Sequence, residues 1–109
     1  MKQLFTMEEL QTALQGDCFL LLKHSNTCPV STSGYEEVER YLEEHPEQAH
    51  GFLVVQESRD FSAAVAELTG IRHESPQVIL FKSGKPVWQA SHYSIKKDAI
   101  ADAMAEVPK

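Results

Sequence analysis

The chain has 109 residues, 42% of them hydrophobic and 24% charged, enough for one core and too little for two domains with a linker between them. Its net charge of −6 excludes partners held by phosphate neutralisation, so nucleic acid is not expected. The longest apolar run, Cys18 to Leu22, is too short for a signal segment or a membrane span, so one domain over residues 1–109, located in the cytoplasm, is expected.

Thr6-Met7-Glu8-Glu9 has the form of a capping box, a hydroxyl followed three residues later by a carboxylate that reaches back. A first helix follows with Met7, Leu10 and Leu14 on one face, and Gly16-Asp17 ends it. From Cys18 to Lys23 the run is almost continuously apolar rather than alternating, which marks a buried central strand, and His24-Ser25-Asn26-Thr27 is its polar exit.

Cys28-Pro29 opens a second helix, with proline at the first helical position, where its missing N–H costs nothing. Val30, Val38, Tyr41 and Leu42 form its inner face, while Glu36, Glu37, Glu39, Glu43 and Glu44 are its solvated side. Gly34 is expected to weaken its early part, and His45-Pro46 to stop it. Phe52 to Val55 is a second buried strand. Asp60 is the expected cap of a third helix, which carries Phe61, Ala64, Val65 and Leu68 and ends at Gly70.

Val78 to Phe81 and Pro86 to Trp88 flank the turn Lys82-Ser83-Gly84-Lys85 and read as a hairpin, with Trp88 in core or edge packing. Ser94 is the expected cap of a last helix carrying Ile95, Ala99, Ile100, Ala103 and Met104. The order αβαβαββα implies an α/β sandwich, a mixed central sheet of about four strands flanked by helices.

Cys28 stands where a strand gives way to a helix, so backbone amides and the positive end of the helix dipole favour its thiolate, the form that acts as nucleophile and leaving group in disulfide exchange. The competing reading is a small buried hydrophobe, and the polar neighbours Ser25, Asn26, Thr27 and Ser31 speak against it. Cys18 lies at the other end of the strand. At about 3.3 Å per residue the two cysteines are beyond the ~7 Å Cα separation that a disulfide tolerates, so both thiols are expected to be free.

Thr27-Cys28-Pro29-Val30-Ser31 after a hydrophobic strand and Glu74-Ser75-Pro76-Gln77 before a hairpin resemble the two active-site loops of the thioredoxin superfamily. That resemblance implies a cis peptide bond at Pro76 and a backbone at Ser75 that pairs with the substrate. More narrowly, Lys-His-Ser-x-Thr-Cys-Pro-x-Ser at Lys23 to Ser31, with His73-Glu74-Ser75-Pro76-Gln77 and Ser91-His92, resembles the YtxJ-like family of monothiol bacilliredoxins. It implies a thioredoxin-like fold, catalysis by Cys28, bacillithiol as co-substrate, S-bacillithiolated proteins as clients, and no bound cofactor.

Two departures from dithiol thioredoxins shape the chemistry. Ser31 replaces the second cysteine of Cys-x-x-Cys, so a mixed disulfide on Cys28 must be resolved by an external thiol. Leu22 stands six residues before Cys28, where those proteins carry a buried acid, which leaves the thiolate to the helix terminus with hydroxyl support from Thr27 or Ser31.

Five histidines without ligand spacing do not suggest a metal site. His24 and His73, near the two loops, are candidates for tuning Cys28, against ordinary loop packing. Cys18 is read as a core residue, with a slow resolving role as its alternative. Two further functional readings stay open: a redox-inactive module that binds a partner by strand pairing, and a thiol sensor modified without turnover. The chain is expected to act as a monomer.

Overall fold

The computed structural model describes residues 1–107, which follow the order α1 (Met7–Ala13), β1 (Cys18–His24), α2 (Pro29–Glu44), β2 (His50–Val54), α3 (Arg59–Thr69), β3 (Gln77–Lys82), β4 (Lys85–Ser91) and α4 (Lys97–Glu106), with a 3-10 turn at His92–Ser94. The strands form one mixed sheet in the order β2-β1-β3-β4. β1 and β2 are parallel, and the remaining neighbours are antiparallel. None of the described helices is long and apolar enough to cross a membrane.

Strand alternation divides the core into two layers. Leu20 and Leu22 of β1 join Val78 and Leu80 of β3 beneath α2 and α4, where Val38, Tyr41, Ile100 and Ala103 meet them. Phe19 and Leu21 point the other way with Ile79 and Phe81, towards Leu10 of α1 and Phe61 and Val65 of α3. Because both faces are covered, the run Phe19 to Lys23 is buried throughout. Trp88, on edge strand β4, is half-buried against the α2/α4 layer.

Local chemistry sets most element ends. The Thr6 hydroxyl accepts from the Glu9 amide and the Glu9 carboxylate accepts from the Thr6 amide, closing the capping box. Gly70 ends α3 in the left-handed conformation, with φ of 70°. Ser83 and Gly84 both have positive φ, which suits a tight hairpin turn between right-twisted strands. Pro86 falls beside the register irregularity at Leu80/Phe81 on the outer strand, where its missing donor costs no ladder bond.

Two expected caps move. Ser58, not Asp60, precedes α3, and Asp60 lies within the first turn, where its charge faces the helix dipole. Ser94 belongs to the 3-10 turn, and Lys96 precedes α4. β2 starts at His50, two residues before the apolar run, because the backbone pairing Leu20↔His50 extends beyond the hydrophobic side chains.

The register then assembles one end of the sheet. Lys23 pairs with Gln77, so the loop that finishes at Pro76 arrives beside the exit of β1. Gln77 in turn pairs with Ser91, which delivers His92 to the same end, and His24 pairs with Val54, which delivers Gln56. Three connections from distant parts of the chain therefore surround Cys28's loop.

Candidate active site

Cys28 is the N-cap residue of α2, with extended backbone (φ −108°, ψ 121°) and Pro29 next to it. Its carbonyl accepts from the amides of Ser31 at 2.9 Å and Thr32 at 3.3 Å, which closes the first turn. The side chain is half-buried, so the expectation of a partly exposed thiol agrees with its position. Cys18 is also a free, half-buried thiol, but it begins β1 at the opposite end of the strand. Its Sγ lies 3.8 Å from Met104 Sδ, and burial pushes its thiol above the ordinary range, marking it as a packing group.

The loop leading to Cys28 is held by hydroxyls and one amide. Ser31 is fully buried, and its hydroxyl accepts from the Ser25 amide at 3.3 Å. Ser25 Oγ and Thr27 Oγ1 lie 3.4 Å apart, and Gln56 Nε2 donates to both, at 2.6 Å and 3.2 Å. Gln56 Oε1 accepts from the Asn26 amide at 3.2 Å, so one side chain after β2 ties three successive loop residues and their backbone. The hydrogen bonds of Ser31 and Thr27 thus shape the loop that carries the thiol. No sequence signal singles out Gln56, an unremarkable polar residue 28 positions after Cys28 whose role depends on the β1–β2 register.

The Ser75–Pro76 peptide bond is cis. Pro76 is buried against α2 at Gly34: a Cβ placed on that glycine would lie 3.5 Å from Pro76 Cβ. The Pro76 carbonyl accepts from the His92 amide at 3.0 Å, and the Gln77 side chain donates to the Arg72 carbonyl at 3.0 Å. Ser75 Oγ and Gln77 Oε1 are buried and have no hydrogen-bond partner among the described residues, so this loop holds unused polar capacity.

The two candidate histidines have different surroundings. His24 packs edge-on against Tyr35, with ring centroids 5.2 Å apart, and Phe52 approaches at 6.5 Å. Burial holds it below the usual imidazole range, opposed by the backbone of Ser31. His73 Nδ1 lies 3.1 Å from Lys23 Nζ and 3.3 Å from Ser62 Oγ. It too sits below the usual range, first through burial and then through the Lys23 charge, with Glu74 acting the other way. Neither imidazole hydrogen-bonds to Cys28 among the described residues.

Lys23 itself is the residue to which the sequence reading assigned no role. Its side chain is fully buried on the α1/α3 side of the sheet, where Nζ donates to the Ser62 carbonyl at 3.2 Å, and burial lowers its pKa to about 8. The available signal was a lone charged residue inside an otherwise apolar strand.

The site thus offers one nucleophilic sulfur at a helix N-terminus, no second cysteine within the first turn, and an opposing loop with a cis proline. The sequence profile of a family described as monothiol bacilliredoxin BrxC matches residues 2–100. The chain belongs to that family. A solved structure described as a candidate oxidoreductase with a thioredoxin fold is 32% identical, covers 94% of this chain and 92% of its own, and superposes with a TM-score of 0.91. Thioredoxin from Fasciola hepatica is 18% identical with a TM-score of 0.76, covering 96% of this chain and 97% of its own. A mutant thioredoxin from Halobacterium salinarum NRC-1 is 23% identical with a TM-score of 0.73, covering 98% and 95%. These last two share the fold. As a monothiol bacilliredoxin the chain is a thiol oxidoreductase, and the thioredoxin-like α/β sandwich expected from its sequence is the one it has.

Proposed function

We propose that this bacilliredoxin removes bacillithiol from S-bacillithiolated client proteins by monothiol exchange at Cys28. The observation that carries the reading is the pairing of Cys28 at the α2 N-cap with a buried Ser31 where a dithiol enzyme has its resolving cysteine. In the first step the Cys28 thiolate attacks the bacillithiol sulfur of the client's mixed disulfide. A Cys28–bacillithiol disulfide forms, the client's S–S bond breaks, and the client leaves as a thiolate that takes a proton from water. In the second step the thiolate of a free bacillithiol attacks the bacillithiol sulfur on Cys28. Bacillithiol disulfide forms and the Cys28 thiolate returns. The net change reduces one client mixed disulfide to the client thiol and oxidises one free bacillithiol to bacillithiol disulfide.

The roles around the sulfur are part of the same reading. The α2 N-terminus supports the thiolate, and Pro29 starts the helix there. Thr27 and Ser31 act through the loop network that fixes Cys28. The Ser75 backbone beside cis-Pro76 pairs with the substrate and aligns the S–S bond. His24 and His73 are kept as candidates for tuning Cys28 from the neighbouring segments. The protein works as a monomer in a reducing cytoplasm, with clients and bacillithiol as its partners and no bound cofactor.

Intact-protein mass spectrometry of the reduced protein mixed with a bacillithiolated client tests this, with Cys28→Ser and Cys18→Ser as comparisons. The expected result is a bacillithiol adduct confined to Cys28, release of the reduced client, and full competence of Cys18→Ser. A client that keeps its modification overturns the reading and favours the binding module. An adduct that free bacillithiol does not clear favours the sensor.

A further inference from the structure

We propose that Lys23 is a positioning residue, whose buried side chain fixes His73 in one tautomer and thereby anchors the loop from Ile71 to Pro76 that faces the substrate. The inference rests on the reading above for the loop's purpose, but the anchor itself is a matter of geometry. Lys23 Nζ has donors only, and one of them goes to the Ser62 carbonyl. Facing that ammonium at 3.1 Å, His73 Nδ1 must be the acceptor, so the ring is neutral with its proton on Nε2. Ser62 Oγ, 3.3 Å from the same nitrogen, completes the group as a second donor, a hydroxyl from α3.

His73 is otherwise an exposed loop residue, so this contact is what ties the middle of the loop to the sheet. The loop has two other fastenings. Thr69 Oγ1 accepts from the Ile71 amide at 3.1 Å at its start, and the Gln77 amide group holds the Arg72 carbonyl from its end. Among the described residues, Glu74 and Ser75, which follow His73, have no comparable tie to the sheet, apart from the 3.9 Å approach of Glu74 to His92. A buried lysine beside four buried apolar residues of β1 is an expensive way to hold a histidine, and the specific geometry it imposes is what offsets that cost in this proposal.

The anchor also sets a condition on protonation. A proton on Nδ1 would place two donors face to face and release the ring. The charged groups that bear on it are Lys23 from β1 and Glu74 from the loop itself, and Ser62 from α3 is its neutral polar neighbour.

Long-range proton–nitrogen NMR on the whole chain reads the tautomer directly. In the wild type His73 is expected as the Nε2–H form alone. In Lys23→Met it is expected to become a mixture that protonates at higher pH, while the backbone order parameters fall from Arg72 to Ser75 and stay high in β1. His73→Leu should loosen the same residues, and His73→Asn, which keeps an acceptor near the Nδ1 position, should restore their order. With a bacillithiolated client, Lys23→Met is expected to raise KM about five- to tenfold with a smaller change in kcat, the pattern of lost substrate alignment. An unchanged tautomer, or unchanged order parameters in Lys23→Met and His73→Leu, overturns the anchor. A client that is not turned over by the wild type overturns the de-bacillithiolation reading alone, because tautomer and backbone order are measured without any substrate.

Discussion

Ser31 separates this site from a dithiol one by a single atom type. Its buried hydroxyl accepts from the Ser25 amide, so replacing oxygen by sulfur weakens that bond while adding a thiol one helical turn from Cys28. Ser31→Cys is therefore expected to form an internal disulfide between the introduced thiol and Cys28 under mild oxidation, seen as a loss of about two mass units. It should cost about 1 kcal/mol of stability through the weakened hydrogen bond. A variant that stays a mixed disulfide with the small thiol, with no internal bridge, would show that the turn forbids dithiol chemistry. Lys23 gives a second prediction with the opposite sign for stability. Its folded pKa is about 8 against an ordinary 10.5, so between these values the unfolded chain holds a proton that the folded chain has lost. Stability contributed by this group therefore rises with pH through that window, and the full burial penalty is present below it. Lys23→Met is expected to be more stable than the wild type by about 1–3 kcal/mol at neutral pH, with the advantage shrinking towards about pH 10. Urea unfolding at the two pH values measures it, and a less stable variant at neutral pH would mean that the Ser62 and His73 contacts outweigh the burial of charge.

At the scale of elements, the second helix runs through its glycine without a break. Gly34 leaves α2 unbroken from Pro29 to Glu44, and its missing side chain lets the helix approach Pro76 and Ile95. A Cβ there meets Ile95 Cδ1 at 3.4 Å and Pro76 Cβ at 3.5 Å, which is ordinary contact. Gly34→Ala is thus expected to gain about 0.5–1 kcal/mol from helix propensity with activity kept, as thermal unfolding and turnover would show. The branched Gly34→Val has no such room, and should displace the cis-proline loop and raise KM for the client. Equal behaviour of the two variants would mean that α2 and the loop move apart freely. The same helix shows what the sequence conveys about elements. Element order, the capping box at Thr6, the hairpin turn and the stop at Gly70 rest on contacts within a few residues, and these were legible. Asp60 and Ser94 misled as caps because the helix start is set by how the preceding strand or 3-10 turn delivers the chain: Ser58 precedes α3, and the 3-10 turn takes up Ser94 and leaves Lys96 before α4.

For the whole molecule, the parts of the site that were legible are those written next to Cys28 or carried by the family resemblance, and the parts that were not are those created by sheet register. Gln56 and the Lys23–His73 contact each join residues 29 to 50 positions apart, and nothing local in either segment announces the partner. Charge is the global property that the sequence does state, and it bears on the reaction. A net charge of −6 gives the chain as a whole a long-range repulsion for anions, and Glu36 and Glu39 add to it on the helix that Cys28 caps. In the proposed cycle the regenerating bacillithiol carries malate carboxylates, so its approach to a Cys28 mixed disulfide would work against that field, whereas the α2 N-terminus favours an anion only within its first turn. Raising the ionic strength shortens the screening length from about 30 Å at 0.01 M to about 8 Å at 0.15 M, which removes the distant repulsion and spares the local attraction. The second-order rate at which an anionic thiol such as mercaptoethanesulfonate clears the Cys28 adduct is therefore expected to rise with salt, about two- to fivefold over that range. The cationic thiol cysteamine should slow under the same change, because screening takes away its attraction. Stopped-flow measurement with both thiols separates the field from general salt effects: opposite slopes identify long-range charge as the control on regeneration, and parallel slopes would place that control in the contacts around Cys28 instead.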